Sequence, residues 1–562
     1  MYSVRDSLVL VLLACLVAPS LQATPTYKAG VVEYYPSQNE KFEEKINENL
    51  KFYEKTIEEA EGKKVDILVF PEATLNGGIK TREEAKEHGA EIKFPNKDSL
   101  CPTKLKQSPS FLEKLSCKAM EKKIYVVVNL SEKQHCSVQS QQEANDDREC
   151  HKDGWNFFNT DIVFDRNGAV VARYRKFNLF SEKQFNTTKF PEHSTFVTDF
   201  NVTFGLFTCF DIMFNEPALA MVREGVRDFA FPTMWFSELP FLTARQVQEY
   251  WAYANDANLL AAGASNTVRG SGGSGIYAGK MGPLIAYMST PKDAGKESEN
   301  NQLLIADVPI LKYYVPVQNN TKPEGGEKSG QIRRSALLNA DLREGGSKPL
   351  TPVEMDKFTM IRDNINEYAS EVISSQLATE ICNNDLCCRF NVTSEIANKT
   401  ETGKHYYQYR AIVGDLVRSF SGMANGGIKA CGIVACSGDD IKTCGIRFNN
   451  SATVGVRQKF KSIYIEGKFP NIIEVFTMPD TLGHNMLPLG NNQFQYHEEK
   501  KDDEDEKVVT MQLRGLPVED LQTFAIFGRD FRYDGSGSSI LPNAFALSAL
   551  VLGYLWKYFS GN

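Results

Sequence analysis

The 562-residue chain has no basic stripe. Its 63 Lys and Arg stand against 71 Asp and Glu, a formal net charge of -8. That balance argues against a nucleic-acid partner, whose phosphates call for a cationic face. There is no long tandem repeat, so no solenoid is expected. The leading apolar run, residues 8–18, is too short to span a bilayer. The closing apolar run has no basic flank behind it. The cysteines left after removal of a leader do not make an even number.

What is present begins with a secretory leader. Arg5 supplies the positive start, the apolar run follows, and Leu21-Gln-Ala23 offers a small residue for cleavage. Residues 1–23 are therefore expected to be removed, and the mature chain to meet an oxidising compartment. Twelve cysteines occur and Cys15 leaves with the leader, so eleven remain. Disulfides consume pairs, which leaves one thiol over. By position, Cys101/Cys117 and Cys136/Cys150 are local pairs. Cys382, Cys387, Cys388, Cys431, Cys436 and Cys444 form a distant set, and Cys209 is the odd one. The short spacings at Cys382 and Cys431 could suggest metal sites, but secretion favours disulfides. N-x-S/T sequons at Asn186, Asn201, Asn319, Asn391, Asn398 and Asn449 fit a glycoprotein. A further sequon, Asn129, lies inside an apolar strand and is expected to be buried and unmodified.

Residues 24–316 alternate strand and helix patterns. A strand is expected over 27–34, and a helix over 39–60, with Phe42, Ile46, Leu50, Tyr53 and Ile57 on one face. The apolar run 65–70 reads as a strand covered on both faces, stopped by Pro71. Glu72 then lies at its carboxyl end, where open α/β sheets bind ligands. A helix over 110–121, a strand over 124–130 and a hairpin turning at Asn167-Gly168 follow. Lys176 closes the hairpin's second strand. Arg173, Arg175 and Lys176 could equally be a solvated basic edge. Residues 204–208 rise to Cys209, and Asn215-Glu-Pro217 has the form of a helix start. Helical N–H groups there are expected to lower the thiol pKa. The alternation as a whole predicts an α/β sandwich.

Residues 317–349 are polar and read as a linker. From 350 to 533 the pattern is β-rich, with strands expected over 405–413, 454–465, 472–478 and 508–513. This second domain is stapled by the six-cysteine set. The charged stretch 498–507 is expected to be a solvated loop. The end, 534–562, is a run of small residues and then an apolar tail. That order suggests a lipid-attachment signal, removed on maturation, rather than a spanning helix; Pro542, Asn543 and Lys557 would interrupt such a helix.

A Glu, a Lys and a Cys at three strand ends form a base, a cation and a nucleophile, the parts that acyl transfer needs. Phe70-Pro-Glu-Ala73, Tyr174-Arg-Lys-Phe-Asn-Leu-Phe180 and Gly205-Leu-Phe-Thr-Cys-Phe-Asp211 resemble the three signatures of the nitrilase, or carbon–nitrogen hydrolase, superfamily. With the segments 155–165, 232–235 and 272–277 and the cysteine-rich carboxyl domain, the chain is most similar to its vanin/biotinidase branch. The resemblance implies an αββα sandwich in which Glu72 is general base, Lys176 steadies the oxyanion and Cys209 is nucleophile. It offers Glu182, as a second glutamate, and Trp235 as substrate contacts. It implies no metal or cofactor and a small amide as partner. It implies cleavage of a linear amide through a thioester. In vanins the substrate is pantetheine, giving pantothenate and cysteamine, and a lipid anchor holds the enzyme at the outer cell surface. Biotinidases release biotin from biocytin and are soluble. A catalytically inactive, glycosylated surface protein is the reading from a different class. No protein partner follows from the sequence.

Overall fold

The computed structural model describes residues 25–94, 98–102, 110–292, 295–311, 351–397, 404–500 and 505–536. The expected leader and linker, the tail after residue 536, and the sequons at Asn319 and Asn398 lie outside them.

Two six-stranded sheets form the amino-terminal half. The first contains β1 (Thr26–Glu33), β2 (Ile67–Val69), β3 (Tyr125–His135), β4 (Trp155–Phe164) and β5 (Val170–Arg175). The second contains β6 (Thr195–Val197), β7 (Thr203–Leu206), β8 (Asp228–Thr233), β9 (Asn258–Gly263), β10 (Ser274–Ala278) and β11 (Pro283–Tyr287). A last strand, β12 (Gln302–Pro309), returns to pair antiparallel with β1. Strands β1, β2 and β3 run parallel, as do β7, β8 and β9.

Alternation along the strands explains the layering. Val31, Val69 and Val127 point between the sheets and pack with Phe204, Phe229 and Leu260. Val32, Leu68 and Val126 point outward and meet α1 (Phe42–Gly62) and α2 (Phe111–Lys122) through Leu50, Tyr53, Leu115 and Ala119. Ser110 and Glu113 form a capping box at the start of α2. On the other side α3 (Ala244–Asn255) covers the second sheet, with Trp251 5.1 Å from Phe207 and 5.3 Å from Phe229. The result is a four-layer αββα sandwich. Its β4–β5 hairpin turns at Gly168, whose φ of 78° and contact with Ser116 leave no room for a side chain.

The carboxyl-terminal half is two five-stranded sheets. One contains Gln408–Phe420, Ala424–Cys436, Val475–Gly483 and Leu521–Ser536; the other contains Gln376–Asn383, Leu386–Ile396, Gln458–Pro470, Phe494–Glu499 and Glu506–Leu513. The Cys388–Cys431 disulfide ties the two sheets together. Cys382–Cys387, Cys436–Cys444, Cys101–Cys117 and Cys136–Cys150 are also bonded. The two ends of the stretch expected as a solvated loop, residues 498–499 and 506–507, lie in strands instead. Lys507 is buried and its Nζ reaches Thr477 Oγ1 at 2.9 Å and Glu498 Oε2 at 3.1 Å. Charge pairing lets both residues enter a sheet that their polarity alone would forbid. Among the sequons, Asn201, Asn391 and Asn449 are exposed and Asn186 is half-buried. Asn129 is buried. No helix among the described residues is long and apolar enough to cross a membrane.

Candidate active site

Glu72, Lys176 and Cys209 follow β2, β5 and β7, and all three are buried. The first sheet supplies the two charged residues and the second supplies the thiol. Lys176 Nζ lies 2.7 Å from Glu72 Oε1 and 2.8 Å from Glu182 Oε2. Asn159, on β4, donates from Nδ2 to Glu72 Oε1 at 2.9 Å and to Glu182 Oε1 at 2.5 Å. Glu182 is thus brought into the same cluster. Phe180 N–H completes its shell at 3.0 Å.

Cys209 sits on a tight elbow. Its φ is 48°, the left-handed region that a residue with a Cβ enters only under constraint. Asp211 holds the elbow: its Oδ2 accepts from Thr208 N–H at 3.0 Å and from the Tyr174 hydroxyl at 2.7 Å, and its Oδ1 accepts from Asn178 N–H at 2.9 Å. The expected helix start at Asn215 is displaced. Glu216 takes extended angles (φ -107°, ψ 135°), the side chains give no cap, and the regular helix covers only Ala220–Arg223.

Met234 brackets the site from the segment just past β8. Its N–H donates to Glu72 Oε2 at 2.9 Å, and its carbonyl accepts from Cys209 Sγ at 3.6 Å. The other side of Glu72 is fixed through Ala73, whose N–H donates to Asn129 Oδ1 at 2.8 Å. Asn129 Nδ2 in turn donates to Asn159 Oδ1 at 2.6 Å and Asp161 Oδ1 at 2.8 Å. The sequon on β3 is therefore a structural bracket. Arg175 is no solvated edge either: it is buried, with Nε 2.9 Å from Glu132 Oε2 and its guanidinium 3.9 Å from the centre of the Phe158 ring.

Electrostatics correct the expectation of an acidified thiol. Burial pushes the Cys209 thiol well above its ordinary value, and the Glu72 charge adds to the rise. Lys176 and the hydroxyl of Thr233 pull the other way and do not offset it. The resting sulfur is a thiol that needs a base. Lys176 stays charged: burial opposes the charge, but Glu182 and Glu72 outweigh it and raise its pKa. Burial also pushes Asp161 up to about 7 and Asp211 up to about 6.

The thiol opens on a cavity with Phe180, Phe210, Met234, Trp235 and Leu242 in its walls. Trp235 is held by its own Nε1–H, which donates to Leu242 carbonyl at 2.9 Å. Among the described residues no group of three or more His, Cys, Asp or Glu is placed to hold a metal ion. Sequence reasoning missed Asn159 and Met234. The signal for Asn159 was a lone amide on the buried part of a strand; Met234 acts through its backbone and leaves none.

The family model for carbon–nitrogen hydrolases matches residues 28–307, and that for the Vanin C-terminal domain matches residues 358–534. The chain is 36% identical to Vanin-like protein 1 of Drosophila melanogaster over 540 residues, covering 93% of this chain and 89% of that protein. It is 28% identical to a Pantetheinase of Bos taurus, covering 88% and 86%, and 30% identical to a Biotinidase of Takifugu rubripes, covering 75% and 79%.

Proposed function

The chain belongs to the carbon–nitrogen hydrolase family, in the branch that carries a vanin-type carboxyl-terminal domain, and on that premise we propose that it hydrolyses pantetheine to pantothenate and cysteamine through a Cys209 thioester. The observation that carries this reading is the Met234 bracket. One residue's N–H holds the Glu72 carboxylate and its carbonyl holds the Cys209 thiol, so base and nucleophile share one buried site.

The steps follow from the residue types. Glu72 takes the thiol proton as sulfur attacks the amide carbonyl carbon. Lys176 stabilises the oxygen that gains charge, a kind of contact worth about 3–4 kcal/mol. The carbon–nitrogen bond breaks as Glu72 passes its proton to the leaving amine. Water then gives a proton to Glu72 and attacks the thioester, the carbon–sulfur bond breaks, and the sulfur recovers the proton. Glu182 keeps Lys176 oriented and charged, and Trp235 forms part of the substrate wall.

Purified ectodomain offered pantetheine and biocytin side by side tests the reading. Cysteamine release that disappears in Cys209→Ser is the expected result. Faster cleavage of biocytin would move the chain to the biotinidase side, and cleavage of neither would leave a glycosylated surface protein. The small residues after Ser536 and the apolar tail up to residue 562 support a lipid anchor on the outer cell surface; the expected start of the removed segment moves past 534, because residues 534–536 complete the strand Leu521–Ser536. Phosphatidylinositol-specific phospholipase C should release the active protein from cells; a mature-protein peptide containing Tyr554 or Trp556 would refute the anchor.

A further inference from the structure

The cavity beside Cys209 is not built by the hydrolase half alone. Ile361, Phe420 and Ser421, all from the carboxyl-terminal half, line it together with Phe210 and Trp235. Ile361 reaches it as an added strand: Ile361–Arg362 pairs in parallel with Glu238–Leu239, and Ile361 N–H donates to Ser237 carbonyl at 2.9 Å. Phe420 and Ser421 reach it from the tip of a hairpin between Gln408–Phe420 and Ala424–Cys436. Ser421 and Gly422 turn that tip with φ of 51° and 75°.

The Phe420 ring is held on several sides. Its centroid is 5.7 Å from that of Phe210, edge to face, and Phe210 is the residue next to the nucleophile. The guanidinium of Arg418 lies 4.7 Å from the ring centre and that of Arg529 lies 5.1 Å from it. Arg418 is fixed by Asp363 at 2.9 Å and by Glu238, which itself lines the cavity. Arg529 is fixed by the carbonyl of Met213 and by Asp534. Two buried cations facing one ring hold it in place without occupying the cavity. A wall held in this way excludes groups by shape, because it cannot swing aside at low cost.

We propose that Phe420, with Ser421 beside it, is a specificity-determining wall of the active site: the carboxyl-terminal domain sets how bulky a group can lie beyond the reacting carbonyl. The statement rests on the hydrolase reading of the site, and its test separates the two. The substrate class that fits is an amide whose arm is slender and uncharged where it passes Phe420, since this stretch of wall is aromatic and aliphatic and its one carboxylate, Glu238, is already paired with Arg418.

The test alkylates Cys209 of the full ectodomain with iodoacetamide and with its bulkier N-benzyl derivative at one pH, with adducts read by intact mass and Cys209→Ser as blank. Phe420→Ala should raise the rate ratio of bulky to small reagent by about tenfold, the scale on which an apolar pocket discriminates. Ser421→Trp should lower it. Phe420→Leu should lie between, and together with Ser421→Trp it carries the test if the alanine variant is not secreted. A ratio that stays at the wild-type value across the variants overturns the proposal. In parallel, Phe420→Ala should raise KM for pantetheine and leave N-acetylcysteamine, which is too short to pass the wall, unchanged; equal effects on both amides overturn the proposal as well. If the wild type cleaves neither amide the hydrolase reading fails, while the alkylation ratio still decides whether Phe420 is the wall.

Discussion

Lys176 Nζ and Glu72 Oε1 lie 2.7 Å apart with both side chains buried, and Glu182 presses on the same ammonium from the other side at 2.8 Å. One cation therefore serves two carboxylates beside an uncharged thiol. Among the described residues neither Glu72 nor Glu182 makes a salt bridge to another cation, so the ammonium holds the cluster together. Lys176→Met leaves two carboxylates side by side. It should lower kcat by at least about a hundredfold with a smaller change in KM. It should also destabilise the fold by about 3–5 kcal/mol, the cost of breaking a buried pair from one side. Steady-state kinetics and urea unfolding check both. A change in KM alone would make Lys176 a binding residue.

Removing the neighbouring negative charge should separate reactivity from turnover. Burial raises the thiol pKa and the Glu72 charge raises it further. Glu72→Gln removes the second cause, and Lys176 remains paired with Glu182. Each unit the thiol falls raises its thiolate fraction about tenfold while the intrinsic nucleophilicity drops less steeply. The variant should therefore react faster with iodoacetamide at pH 8 than the wild type and yet cleave no amide. Slower alkylation would mean that Glu72 activates the resting thiol.

Glu72, Lys176 and Cys209 could be singled out in the sequence because each follows a strand, at the end where α/β sheets present their ligand-facing groups. The shell behind them could not. Asn159 and Asn129 look like ordinary strand amides until β3 and β4 pair and place the two side chains 2.6 Å apart. Met234 acts through its backbone. The acidified thiol was a wrong inference from Asn215 and Pro217, because Glu216 breaks the turn and the regular helix begins only at Ala220. In the carboxyl half, residues 376–396 were passed over since one face of that hairpin is exposed. Only the ends of the charged stretch 498–507 depart from the expected loop, because Lys507 and Glu498 neutralise each other inside the sheet. Phe420 joins the site across a separation that no local pattern spans.

His193 links the loop before β6 to the segment behind the elbow. Its Nε2 is 2.6 Å from Glu216 and its Nδ1 is 2.7 Å from Glu224. Burial alone would lower its pKa, but the hydrogen bonds to Glu216 and Glu224 outweigh that and raise it above 6.5. The folded state thus binds the proton more tightly than the unfolded state. This contribution to stability is fully present below about pH 6.5 and is lost as pH rises through the folded pKa. Urea midpoints measured from pH 6 to 9 should fall more steeply for the wild type than for His193→Gln. Parallel curves would show that His193 carries no linked proton.

Asp480 should titrate stability in the same direction for a different reason. It is fully buried where the carboxyl half meets α3. Gln246 Nε2 donates to its Oδ1 at 2.5 Å, and its Oδ2 has no hydrogen-bond partner among the described residues. Burial raises its pKa well above the ordinary value, and the bond from Gln246 does not offset this. The folded state therefore holds a proton that the unfolded chain releases above about pH 4. Stability is full below that pH and declines as pH rises toward the folded pKa, because only the unfolded state gains by ionising. Asp480→Asn keeps the shape and the acceptor for Gln246 and has nothing to ionise. It should raise the Tm at pH 7 and flatten the decline of Tm between pH 5 and 7, while pantetheine turnover is unchanged. The neighbouring bond between Tyr250 and Thr481 spans the same interface, so the substitution leaves a second polar tie between the halves intact. A lower Tm at pH 7 for Asp480→Asn would show instead that the carboxylate is ionised in the folded protein and that the interface depends on its charge.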